Sequence, residues 1–345
     1  MSTYLYRSIT AGFLVLMAFT AGFGGVTSAA EVANTLRYGT DNERNISRLP
    51  QVIAEREGFF AREGLNVQFV NFASSFRAPA AGQNPGTVRE AMANGSIDMT
   101  RQQLPLLIND VMTGRVTVPY VGVSVLMNNS VYFLAVRPEI NSYDDLRGKT
   151  IAITGLHDGI TVWTQKLLAL HGLQNEDVNL RTIAGSQTRL VCLEAGECAA
   201  ASLAQPAVFE ALDAGHHTLG ITNEIGPLFY QLDIVNPTWA AAHRDLVVKY
   251  IRATTAAMHF IQDPMNRDEV VRVTMEYMQE PEDRTRQMLS YIWNPQNRVL
   301  PQQAAIDMDS VREAIALLGE YGILEQPLPM AERFIDPSYA IAAGQ

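Results

Sequence analysis

Cysteine is nearly absent: Cys192 and Cys198 are the only two in 345 residues. Five residues (LEAGE) separate them, so neither the CxxC spacing of a redox motif nor the ligand count of a zinc site is met. Basic residues are also scarce. Lysine and arginine total 26 against 36 acidic residues, a formal charge of −10, and no basic run breaks that balance. Nucleic acid and anionic membranes are therefore poor partners. No GxSxG, HExxH, P-loop or dinucleotide fingerprint occurs, which leaves no recognisable nucleophile, metal site or cofactor motif. Internal repeats, low-complexity tracts and disordered stretches are missing as well. The longest apolar run, Ala11 to Phe23, falls short of the ~20 residues that span a bilayer.

That run has its own meaning. Arg7 precedes it and the small residues Thr27, Ser28, Ala29 and Ala30 follow it, the order of a secretory signal peptide over residues 1–30. Cleavage after Ala30 is expected, with no cysteine nearby to take a lipid anchor. The remaining ~315 residues exceed what one hydrophobic core usually organises, so two lobes are expected. In an oxidising compartment Cys192 and Cys198 form either a local disulfide, the more natural state, or two buried thiols.

Strand and helix patterns alternate along the chain. Strands are expected at Leu36–Thr40, Val67–Phe72, Ile97–Met99, 118–126 and Val131–Val136, with helices at Pro50–Phe60, Val88–Ala93 and Leu104–Met112. A second series follows through 145–223. From Ala240 onward the helical period dominates, with Val247, Tyr250, Ile251, Thr254, Met258 and Ile261 in one stripe and Val311, Ile315 and Leu318 in another. Both stripes read as core. So does Trp163, which shares a face with Ile160, Leu167 and Leu170. The fold class is α/β with a mainly parallel sheet.

The strings EREGFFAREGLNVQFV, VREAMANGSIDM, SYDDLRGKTIAI and GLQNEDVNL, in that order, resemble the substrate-binding proteins of ABC importers in the nitrate/sulfonate/taurine and thiamine-pyrimidine-precursor group. The resemblance spans nearly all of the chain after the signal. It implies a two-lobed type II periplasmic binding protein fold with a central cleft and two crossing hinge strands. Lobe one would hold residues 34–136 and 219–345, and lobe two residues 137–218. It implies a periplasmic monomer that captures a small polar or anionic organic solute for an ABC permease in the inner membrane. An enzyme of the thiamine-pyrimidine-synthase type and a ligand-presenting sensor are the alternatives. Against the enzyme, the cysteine-rich motif of those relatives is absent. The chain departs from the family's pattern at Thr100–Gln103 and at Cys198–Ala200.

In such sheets ligands collect at the carboxyl ends of strands, beside helix N-termini. That rule selects Thr40 and Asn45 after the first strand, Ser75 and Phe76 after the second, and Arg101 and Gln102 after the third. In the second series it selects His157, Gly159, Thr161 and Gln205. Arg101 could grip an oxyanion with its planar fork, Phe76 could stack on a planar ligand, and Gly159 to Thr161 could offer a bare helix start. The competing readings are a surface arginine, a solvated loop histidine and an ordinary helix start.

Overall fold

Ten strands form two five-stranded sheets with the same permuted order. In the computed structural model, which describes residues 34–41, 44–72, 87–116, 119–129, 131–155, 159–225 and 231–344, the first sheet runs β2-β1-β3-β10-β4. Its strands are β1 (Thr35–Asp41), β2 (Asn66–Phe72), β3 (Met99–Gln103), β4 (Val121–Met127) and β10 (Gln231–Val235). The second sheet, β7-β6-β8-β5-β9, contains β5 (Tyr132–Val136), β6 (Thr150–Ile153), β7 (Asn179–Thr182), β8 (Ala200–Ala204) and β9 (His217–Ile221). In each sheet one strand enters from the other sheet and runs antiparallel to both neighbours: β10 between β3 and β4, and β5 between β8 and β9. The chain thus crosses between lobes twice, from β4 to β5 and from β9 to β10. The proposed signal segment lies outside the described residues.

Three apolar clusters hold these layers. One face of the first sheet, with Leu36, Tyr38 and Met99, packs on helices Leu49–Arg56, Arg244–Gln262 and Arg267–Met278. The other face, with Leu232 and Ile234, packs on Leu104–Met112 and Met308–Glu320, and this cluster continues into the second sheet through Leu134 and Ile151. Cys192, Leu203 and Phe209 fill the remaining face of the second sheet, together with Met278 and Met288. Both helical stripes expected after Ala240 are buried, as is Trp163. Leu170 is not. It is 60% exposed, at the end of helix Gly159–Leu170.

The first sheet's outer strand is covered by chain from the C-terminal third. Gly122 N donates to Phe334 O at 2.8 Å and Asp336 N donates to Gly122 O at 2.9 Å, so β4 offers no bare edge at this point. A Cβ at Gly122 would stand 2.9 Å from the side-chain ends of both Ile335 and Leu232, so any larger residue there would make them shift.

Two sequence expectations change. A lobe boundary after residue 136 would leave Tyr132–Val136 with lobe one, and one before 219 would divide His217–Ile221; both strands pair within the second sheet. The third strand, expected to end at Met99, continues to Gln103, because β10 supplies backbone partners for residues 99 to 103. β10 itself was not expected from the sequence: QLDIV is short and carries an acid in its middle.

Cys192 and Cys198 are joined by a disulfide that ties the end of helix Ser186–Glu194 to the entry of β8, with Cα atoms 5.5 Å apart. Replacing both with serine should cost about 2–3 kcal/mol of stability, the loop-closure contribution for a ring this short. Denaturant melts of the double variant, with non-reducing peptide mapping of the parent protein, check this.

Candidate functional site

The segment after β1 turns into a single helical turn, Ile46–Arg48, because Asn45 caps it: its Oδ1 accepts from Ser47 N at 2.9 Å. Tyr277 clasps the same point. Its hydroxyl accepts from Asn45 N at 3.1 Å and donates to Asn45 O at 3.2 Å. Ser47 is thereby held almost fully buried, and Arg101 Nη1 donates to its Oγ at 2.6 Å. A hydroxyl oxygen that accepts from a guanidinium keeps its own proton to give elsewhere.

Asn45, Ile46 and Ser47 form one wall of a cleft of about 410 Å³, a volume that includes space open to solvent. Tyr132 and Val131 come from the first crossover, Ala204 and Gln205 from the end of β8, and Gln231 from the start of β10. Met127, Ile292 and Val299 supply apolar surface. Because β10 runs antiparallel to β3, its first residue lies at the carboxyl end of β3, where Gln231 faces Gln103. The cleft therefore sits where strand ends from both sheets and one crossover meet.

Beneath it lies a buried carboxylate. Asp233 is fully enclosed and stands opposite Arg101 in the β10–β3 register. Tyr38 Oη and Ser124 Oγ each donate to it at 2.7 Å, and Tyr250 Oη at 3.1 Å, while Gln51 Nε2 donates to Tyr250 Oη at 2.7 Å. Burial pushes the Asp233 carboxyl up to about 6, against the lowering effect of the three hydroxyls and the Arg101 charge. Burial beside this acid also holds the Tyr38 and Tyr250 phenols well above their ordinary range. Arg101 thus stands between the buried acid, whose carboxyl its charge influences, and Ser47 at the cleft wall, to which it donates.

The expected ligand residues separate into groups. Asn45 and Gln205 line the cleft, and Arg101 stands directly behind Ser47. Thr40 is buried in β1, donating to Asn71 Oδ1. Gln102 points through the opposite face of the sheet, where its Nε2 donates to Asp110 Oδ2 at 2.9 Å beside the Arg89–Asp110 ion pair. Arg101 and Gln102 were expected in a loop; they lie in β3, so neighbours in sequence take opposite faces. Gly159 and Thr161 are buried at the start of helix Gly159–Leu170, and Thr161 Oγ1 donates to Gly155 O at 2.5 Å. Ser75, Phe76 and His157 lie outside the described residues. Ser47, Gln231 and Asp233 escaped the sequence reading. Ser47 was within reach of the strand-end rule, being two residues past Asn45, whereas Gln231 and Asp233 depended on finding β10. Among the described residues no cluster of histidine, cysteine or acidic side chains could hold a metal ion, and no helix is long and apolar enough to cross a membrane.

Residues 45–266 match the NMT1/THI5-like family. The chain belongs to that family. No curated protein matches it. Solved structures similar to it share its fold at low identity. The alkanesulfonate-binding protein SsuA from Xanthomonas axonopodis pv. citri, bound to MOPS, is 17% identical, with a TM-score of 0.67 over 88% of this chain and 98% of that one. The periplasmic nitrate-binding protein NrtA from Synechocystis PCC 6803 is 15% identical, with a TM-score of 0.73 over 90% and 88%. The desulfurization enzyme DSZB is 15% identical, with a TM-score of 0.62 over 90% and 98%. These likenesses establish the two-lobed periplasmic-binding-protein fold.

Asp233 should leave a signature in the pH dependence of stability. Its folded value of about 6 exceeds the ordinary 3.8, so between these limits the native state holds a proton that the unfolded chain has lost. The stability it contributes is complete below the lower limit and is lost as pH rises through the upper one. Asp233→Asn removes that decline. Relative to the parent, the variant should gain about 3 kcal/mol between roughly pH 4 and pH 7, at about 1.4 kcal/mol per unit of pKa difference, read by urea denaturation across the range.

Proposed function

We propose that this chain is an extracytoplasmic solute-binding protein that closes on a small polar organic solute and delivers it to an ABC permease in the inner membrane. The carrying observation is the cleft itself, lined by Asn45 and Ser47 from one lobe, Gln205 from the other and Tyr132 from a crossover. The lobes are residues 34–129 with 231–345, and residues 131–225. A solute bound to Ser47 and Gln205 at once would draw them together about the β4–β5 and β9–β10 crossovers. The protein acts as a monomer in this reading. Residues 1–30 direct export and are removed with it, without a lipid anchor.

Two relatives by fold support the solute reading, one being described as alkanesulfonate-binding and the other as nitrate-binding. The fold also carries the desulfurization enzyme. Turnover of that general kind needs a reactive group in the cleft. The described lining offers amides, hydroxyls and aliphatic side chains, and both cysteines are spent in the disulfide. Binding without reaction is what such a lining does well.

Thermal-shift screening of the exported protein against a solute library tests this reading. A ligand at 100 times its dissociation constant should add ~2.7 kcal/mol of stability, and small-angle scattering should show compaction. The bound solute should be recovered chemically unaltered; stoichiometric conversion would favour an enzyme. Arg101→Ala should weaken binding by about 1.5–3 kcal/mol, the scale for a hydrogen bond to a charged group, because Ser47 loses the donor that orients it. Lysine there should restore only part of that loss.

A further inference from the structure

Gln205 directly follows β8, joined to Pro206 by a cis peptide bond, and is 7% exposed. Both polar atoms of its side chain, Oε1 and Nε2, are buried without a hydrogen-bond partner in the protein. Arg189, equally enclosed, donates to Ser202 O, Ile183 O and Ser186 Oγ. Among the described residues Gln205 alone has two such orphaned side-chain atoms, and it lines the cleft. An unmet buried carboxamide is costly to the fold, so its retention at a binding cleft marks a contact that the ligand completes.

The chemistry of that contact is specific. A carboxamide presents one acceptor and one donor side by side. A ligand edge with a donor next to an acceptor meets both. A carboxylate or sulfonate edge offers acceptors only, so it would satisfy Nε2 and set an oxygen against Oε1. Charge points the same way. None of the described residues lining the cleft carries a formal charge, and Arg101, behind the cleft wall, donates to Ser47 and lies opposite the buried Asp233.

We propose that Gln205 determines specificity by pairing with a neutral amide-type edge, so that the solute is a carboxamide, lactam or ureide and not an organic acid. This rests on the solute-binding reading above and narrows it. Ser47 supplies one further donor to the same ligand from the opposite wall, and Met127, Val131 and Ile292 enclose its apolar part.

The test is a thermal-shift screen of the exported protein against a library of carboxamides, lactams and ureides, each matched with the carboxylate and sulfonate of the same skeleton. Calorimetry of the hits follows, with the parent, Gln205→Met and Gln205→Glu. The proposal expects hits among the neutral amides and none among the matched acids. It expects at least a tenfold loss of affinity in both variants. Gln205→Met should also leave the melting temperature of the ligand-free protein equal to or above that of the parent, since it removes two unmet polar atoms. A glutamine needed only for structure would lower it. If Gln205→Met does not fold, Gln205→Glu, which keeps the shape and exchanges the donor for an acceptor, decides on affinity alone. Hits confined to the acids, or amide hits of unchanged affinity in the variants, overturn this proposal while leaving the solute-binding reading in place. No hit in any class overturns that reading and this proposal with it.

Discussion

The backbone groups of β10 must find their partners in β3 and β4, strands formed by residues more than a hundred positions earlier. A buried strand cannot leave its N–H and C=O groups unpaired, so the chain returns from the second sheet and inserts between two strands of the first. β5 makes the reciprocal insertion. Much else follows from that pair of crossings. They fix two covalent links between the lobes, place Gln231 at the cleft and set Asp233 opposite Arg101.

The opposition of Asp233 and Arg101 explains how a binding protein can carry an arginine behind its cleft without presenting an open anion site. The carboxylate lies in the sheet, held by three hydroxyl groups, and its charge opposes that of the guanidinium. Arg101 then serves to hold Ser47, a residue of the cleft wall. A charged side chain is used to orient a neutral donor. The described lining mixes uncharged polar side chains with aliphatic ones and carries no formal charge, and an unmatched buried polar group in such a lining is heavily penalised.

Gln205 and Ser47 belong to different lobes and line one cleft. Gln205 is placed by the end of β8 and the turn at Pro206, Ser47 by the capped turn after β1 and the clasp of Tyr277. A solute that needs both is bound best when the lobes approach, which links recognition to closure.

The sequence by itself determined the α/β alternation, the helical stripes of the C-terminal third and the resemblance to two-lobed binding proteins, because these rest on local periodicity and on the order of short strings. It reached Asn45, Gln205 and the vicinity of Arg101 through the rule that ligands gather at strand ends. Only the tertiary structure decided which way those side chains face. Arg101 and Gln102 are adjacent in sequence, yet one reaches Ser47 and the other Asp110, because β10 extends β3 by several residues and a strand alternates its faces. Asp233 and Gln231 had no local signature at all. QLDIV is too short and too mixed to be read as a strand; it becomes one only when β3 and β4 stand ready to bond it.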